Sequence, residues 1–155
     1  MHKVFRLVTR ITSLIFLFIL VYVYAFLPET LELKLTGVDT LKVNREHFFY
    51  GVLVFFILSS LLLALLKKFM ERIPTSPKVF ITEARKSGLL AWAEGMGAVI
   101  NLFLTFTVSF IGMNHNSEHF NINHFVFLVY LGPFMIIGWF FYLIYLLIFT
   151  PKTIL

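Results

Sequence analysis

Charge is almost absent from four long stretches of this 155-residue chain: Ile11 to about Leu27, Phe48–Leu66, Leu89–Gly112 and Phe125–Phe149. A hydrocarbon core of about 30 Å is crossed by roughly 20 apolar residues rising 1.5 Å each. Every stretch is close to that length, and Glu94 is the single acid or base inside any of them. The stretches are apolar all round and do not alternate, so spanning helices are expected and barrel strands are not. Within lipid a helix satisfies its own backbone, which lets runs such as Val52-Leu53-Val54-Phe55-Phe56-Ile57 be helical despite their strand propensity. Composition agrees, with 59% hydrophobic and 14% charged residues against about 45–50% and about 25% in a soluble domain.

The thirteen Lys and Arg residues are distributed unevenly. Ten fall in the N-terminal segment (Lys3, Arg6, Arg10), the second connection (Lys67, Lys68, Arg72, Lys78, Arg85, Lys86) and the tail (Lys152), against three in the first connection. By the positive-inside rule both termini lie in the cytoplasm of a bacterial inner membrane, and the net charge of +5 is a topology signal; no nucleic-acid partner is expected. The second connection, about 67–88, also predicts attraction to anionic lipid headgroups through Lys67, Lys68, Arg72, Lys78, Arg85 and Lys86. Pro77 after Ser76 fits a helix start there, ahead of a short interfacial segment. The basic, then apolar N-terminus imitates a secretory signal, but its run is long and aromatic, so an uncleaved first helix is expected.

Between Pro28 and His47, Leu31, Leu33 and Leu35 alternate with polar residues, as do Leu41 and Val43, around Gly37-Val38-Asp39. A period of two broken by a turn predicts an extracytoplasmic β-hairpin over about 31–44. Two strands alone are marginal in water, so the leucine face needs a support: its own helix ends, the interface or a partner. A first span ending in Leu27-Pro28-Glu29, then an alternating strand, a turn with Gly37 and Asp39, and Asn44-Arg45 before the second span together resemble an uncharacterised bacterial membrane family related to the SdpI bacteriocin-immunity proteins. The resemblance covers about 25 residues and implies an outward-facing hairpin with an immunity-like or peptide-sensing role.

Histidines gather on the same outer side. His47, His115, His119 and His124 lie in or beside outer connections, with Glu118 between two of them. On a helix His115 and His119 at i and i+4 would share a face, as two imidazoles on one zinc or copper require; His124 and Glu118 could complete such a set. The surrounding asparagines argue instead for a solvated polar loop, and imidazole charge offers a pH-sensing alternative.

Glu94 is the intramembrane acid, and such a residue is a functional candidate because burying its charge costs at least about 2.5 kcal/mol. Asn101, seven residues on, falls near the same helix face, so the two define an inward polar seam: either a packing contact, with Glu94 paired to a base, or an ion or proton path. Ala91, Gly95, Gly97 and Ala98 form a small-residue pattern for close helix approach. Gly132-Pro133 predicts a kink in the fourth span and Gly138 another close contact.

The chain has no cysteine, which removes disulfides, thiolate metal sites and Cys nucleophiles. Phosphate loops, nucleophile elbows and zincin motifs are missing as well. The expected architecture is an all-α polytopic membrane protein with four transmembrane helices and a small outer hairpin in a single domain over 1–155. The expected function is non-enzymatic and needs no cofactor: an accessory or structural subunit packing in the lipid bilayer with a membrane-protein partner or with itself. The competing expectation is a sensor binding a peptide or metal through the hairpin and the histidine loop.

Overall fold

A computed structural model describes residues 2–33, 41–75, 82–115 and 125–149. Four helices carry the fold: α1 (His2–Phe26), α2 (Arg45–Arg72), α3 (Glu83–His115) and α4 (Phe127–Phe149), with strands β1 (Thr30–Leu33) and β2 (Leu41–Asn44) between the first two. All four helices are long and apolar enough to cross a membrane, as a multi-pass membrane protein requires. The outward faces of α1, α2 and α4 carry large apolar side chains, among them Phe18, Leu62, Phe69 and Phe134. A contiguous apolar exterior of this extent is unfavourable in water and neutral in hydrocarbon.

Helices α1, α2 and α3 outrun their apolar windows because flanking polar residues extend and cap them, whereas α4 starts two residues inside its window. With 33 residues, α3 is about 50 Å long, well beyond the hydrocarbon thickness. The Thr82 hydroxyl accepts from the Arg85 N–H at 3.3 Å and Glu83 occupies the first turn, a favourable pairing of cap and helix dipole. This start follows Pro77 by six positions; residues 76–81, including the expected interfacial segment and Lys78, lie outside the described residues. The Asn44 side chain caps α2 by accepting from the Glu46 N–H at 2.7 Å. At the other end of α2 the Lys86 ammonium donates to the carbonyls of Glu71 and Ile73 at 2.8 and 2.9 Å, satisfying oxygens that the helix terminus leaves open.

The centre of the molecule is α3. Helices α1, α2 and α4 each pack on it, while α1 and α2 meet through aromatic side chains nearer the hairpin, Phe16 with Phe56 and Tyr24 with Phe49, at ring-centroid distances of 4.9 and 4.7 Å. Residues 91–99 of α3 are buried without interruption, so this helix is covered on every side. That geometry explains the clustering of Ala91, Ala93, Gly95, Gly97 and Ala98: small side chains on all faces let several neighbours approach at once, rather than marking one dimer stripe. Thr9 lies against Gly97 and Val23 against Gly112, so α1 runs parallel to α3. The ring of Trp139 rests on Gly95, and Leu146 lies over Gly88, so α4 is antiparallel to it. These directions place the basic N-terminal ends of α1 and α3 together with the C-terminal end of α4, opposite the hairpin.

The hairpin pairs antiparallel with Thr30 opposite Asn44, Leu31 opposite Val43 and Glu32 opposite Lys42. On its outer face Lys42 and Glu32 are 3.3 Å apart and largely exposed. On its inner face Leu31 is fully buried among Phe16, Leu20, Val23 and Leu27 of the first helix and its end and Leu104 and Val108 of α3, with Val43 packed beside them. The support that two strands need is thus the molecule's own helix ends. Arg45 fixes this junction: its N–H donates to Glu29 at 2.9 Å, its guanidinium donates to the Leu27 carbonyl at 3.1 Å, and it lies 5.0 Å from the Tyr24 ring centroid, within cation–π range.

Candidate functional site

The polar groups of the spans converge on one place, the gap between α1 and α2 over the buried face of α3. Helix α1 contributes Arg6, Thr9 and Ser13, which recur at three- and four-residue intervals and so share a face. From α2 come Ser59, Ser60 and Lys67, and from α3 Glu94 and Asn101. Within the gap is a polar cavity of about 190 Å³. Through Thr9, Lys67 and Glu94 it meets a wider cleft of about 510 Å³, rimmed by Arg6, Arg10, Lys68 and Glu71.

Glu94 is only 5% exposed, and its Oε1 lies 3.2 Å from the Lys67 ammonium and 3.5 Å from Arg6 Nε. A carboxylate removed from water stays charged only when opposite charge and donors replace its hydration. Here two other helices supply the cations, so the acid ties three spans together. The Glu94 backbone carbonyl lies 2.7 Å from the Thr9 hydroxyl, an approach that Gly97 permits because Thr9 Cγ2 is already within 3.0 Å of where a Cβ would stand.

Asn101 is deeper and 3% exposed. Its amide nitrogen donates to Ser13 at 2.8 Å and lies 3.3 Å from both the Thr12 hydroxyl and the Thr9 carbonyl, so its two N–H donors are shared among three acceptors on α1. Farther along α1 and α3 the buried residues are mainly apolar, Phe16, Leu20, Leu104 and Val108, and the buried Thr105 hydroxyl is satisfied by the Asn101 carbonyl at 2.8 Å. The cavity therefore ends blind, open toward the basic end and closed by apolar side chains toward the hairpin.

The inward seam of Glu94 and Asn101 expected from their seven-residue spacing is formed. Other helices bring bases to Glu94, Arg6 from α1 and Lys67 from α2. The sequence signal that α1 would face them is the Thr9, Thr12, Ser13 set in an otherwise apolar helix. Its meaning depends on a partner that the chain order does not reveal.

A second interhelical junction joins α3 to α4. The Trp92 indole donates to the Trp139 carbonyl at 2.9 Å and the Trp139 indole donates to the Trp92 carbonyl at 3.0 Å. Each buried N–H is thus satisfied reciprocally. Gly95 makes this possible, because a Cβ there would overlap the Trp139 ring. Gly132 plays the same part for Phe103. Gly138 departs from expectation: among the described residues nothing stands within 4 Å of its missing Cβ. Helix α4 continues through Pro133, and the lost N–H falls opposite the Val129 carbonyl.

The basic residues expected at headgroups divide into groups. Lys68 and Arg72 are exposed. Arg85 is instead buried, at 6% exposure, Lys86 is turned onto the α2 terminus, and Lys67 points inward to Glu94. On the histidine side, His115 sits in the last turn of α3 and its Nδ1 donates to the Ile111 carbonyl at 3.0 Å. His119, His124 and Glu118 lie outside the described residues. Among the described residues no three His, Asp or Glu side chains gather as a metal set would.

No family model matches the chain, and no curated protein or solved structure matches it.

Proposed function

We propose that this chain is a non-enzymatic multi-pass protein of the bacterial inner membrane, with both termini cytoplasmic, serving as an accessory or structural subunit beside a membrane-protein partner or a second copy. The observation that carries the proposal is the condition of α2 and α4: no residue of α2 is buried and only Gly132 of α4 is. Gly51 and Gly138 on these helices look onto open space, where a neighbouring helix could approach closely. The interior polar groups support the same reading, because Glu94, Asn101 and both tryptophans are occupied in joining helices.

Purification in mild detergent followed by mass analysis of co-eluting chains tests this reading. A stoichiometric partner or a defined oligomer is expected, and a monodisperse monomer removes the subunit role. The immunity-like or sensing alternative draws only on the resemblance in the first connection. With Leu31 and Val43 packed on the chain's own helices, such recognition would have to use the polar face of the hairpin.

A further inference from the structure

We infer that the cleft between α1 and α2 at the basic end binds the phosphate of an anionic lipid headgroup. Arg6, Arg10, Lys67 and Lys68 line this cleft together with Glu71 and Glu94, four cations to two anions, so its described lining keeps a surplus of two positive charges. A guanidinium has five N–H donors and an ammonium three. Glu94 Oε1, which faces both Arg6 and Lys67, cannot consume them all, and donors remain for a second acceptor. Phosphate oxygens suit such a convergence of Arg and Lys. The cleft volume of about 510 Å³ is within the roughly 300–1,000 Å³ of ordinary ligand sites.

Depth and direction select a lipid as the source of that phosphate. In α1 the last charge before the apolar run is Arg10, and in α2 the first after it is Lys67, so both helices put the rim at the boundary of hydrocarbon and water, where headgroup phosphates lie. The ring contacts between α1 and α2, Phe16 with Phe56 and Tyr24 with Phe49, lie toward the hairpin, so at the basic end the cleft separates the two lipid-facing helices. This differs from a diffuse attraction to the whole connection at 67–88: it excludes Arg85, which is buried, and Lys86, which is held on the α2 terminus, and adds Arg6 and Arg10 from the opposite helix. The inference rests on the membrane-spanning part of the proposed function and not on the subunit part, so a monomer that holds the lipid would sustain the site while removing the partner.

Native mass spectrometry of the full chain released from mild detergent tests the assignment, with phosphatidylglycerol, phosphatidylcholine of the same acyl chains, and glycerol phosphate as probes. Phosphatidylglycerol adducts are expected to survive and phosphatidylcholine adducts to be several-fold weaker. Arg10→Gln and Lys68→Gln, both at exposed positions, should each lower phosphatidylglycerol binding about fivefold, the ratio expected for one basic residue near the surface. Arg72→Gln removes the same charge at the same end but outside the cleft and should change binding less than twofold. Equal losses in all three variants, or equal retention of the two lipids, would overturn the site. Displacement by equimolar glycerol phosphate would assign the cleft to a soluble phosphate and overturn the lipid. Unchanged tryptophan fluorescence in each variant confirms that the fold is intact.

Discussion

At the scale of single residues, the decisive positions are those where removing or adding a few atoms alters a contact between helices. Gly95 is the sharpest case. Gly95→Ala would drive a methyl into the Trp139 ring and disturb the paired indole hydrogen bonds, so a loss of about 1–3 kcal/mol is expected from overpacking. Thermal unfolding in detergent, followed by tryptophan emission, should show it, whereas Gly138→Ala, with open space around it, should leave the monomer unaffected. Glu94 presents a charge problem rather than a volume problem. Lys67→Met should leave a buried acid with less compensation, while Glu94→Gln combined with Lys67→Met removes both charges. A double-mutant cycle is therefore expected to return a coupling of about 1–3 kcal/mol, less than a fully buried pair because Lys67 is partly exposed. Additive effects would show that the 3.2 Å contact contributes nothing to holding α2 on α3.

Elements respond to their neighbours as well as to their own composition. Helices α1 and α2 are similar apolar rods by sequence. The polar stripe of Thr9, Thr12 and Ser13 nevertheless locks α1 against Asn101, whereas α2 buries no residue. The hairpin is a two-stranded unit that stands because Leu31 is buried between helices and because Arg45 bridges β2 to the end of α1. Arg45→Ala is accordingly expected to free the hairpin without melting the spans. Hydrogen exchange should accelerate at Leu31 and Val43 by about tenfold or more, the consequence of losing hydrogen bonds to a charged group worth about 1.5–3 kcal/mol, with little change at Trp92 or Asn101. Equal acceleration in α3 would show that the hairpin and the bundle open together.

For the molecule as a whole, the apolar exterior and the asymmetric placement of charge make the predictions. The chain lacks cysteine, so single replacements report location directly. Glu32→Cys on the hairpin should react with an impermeant maleimide added to intact cells, and Thr75→Cys beyond α2 should react only after the membrane is opened. The reverse pattern would invert the proposed orientation. The protein should also stay with the membrane fraction through alkaline carbonate washing, since its exposed aliphatic and aromatic surface has no favourable contact with water.

The four long apolar helices and the hairpin pairing were legible in the sequence because each depends on local periodicity and on transfer of apolar side chains from water. Small-residue spacing announced close packing, and the distance from Glu94 to Asn101 announced a shared face, because helix geometry alone fixes both. Which helices would meet there was another matter. That α3 is central, that Arg6 and Lys67 come to Glu94 from other helices, that Arg85 turns inward, and that Gly95 exists for Trp139 were all decided by tertiary structure. The physical reason is that lipid rewards apolar surface uniformly and gives one arrangement of spans little advantage over another. The choice falls to a few buried polar bonds and close contacts between residues far apart in the chain.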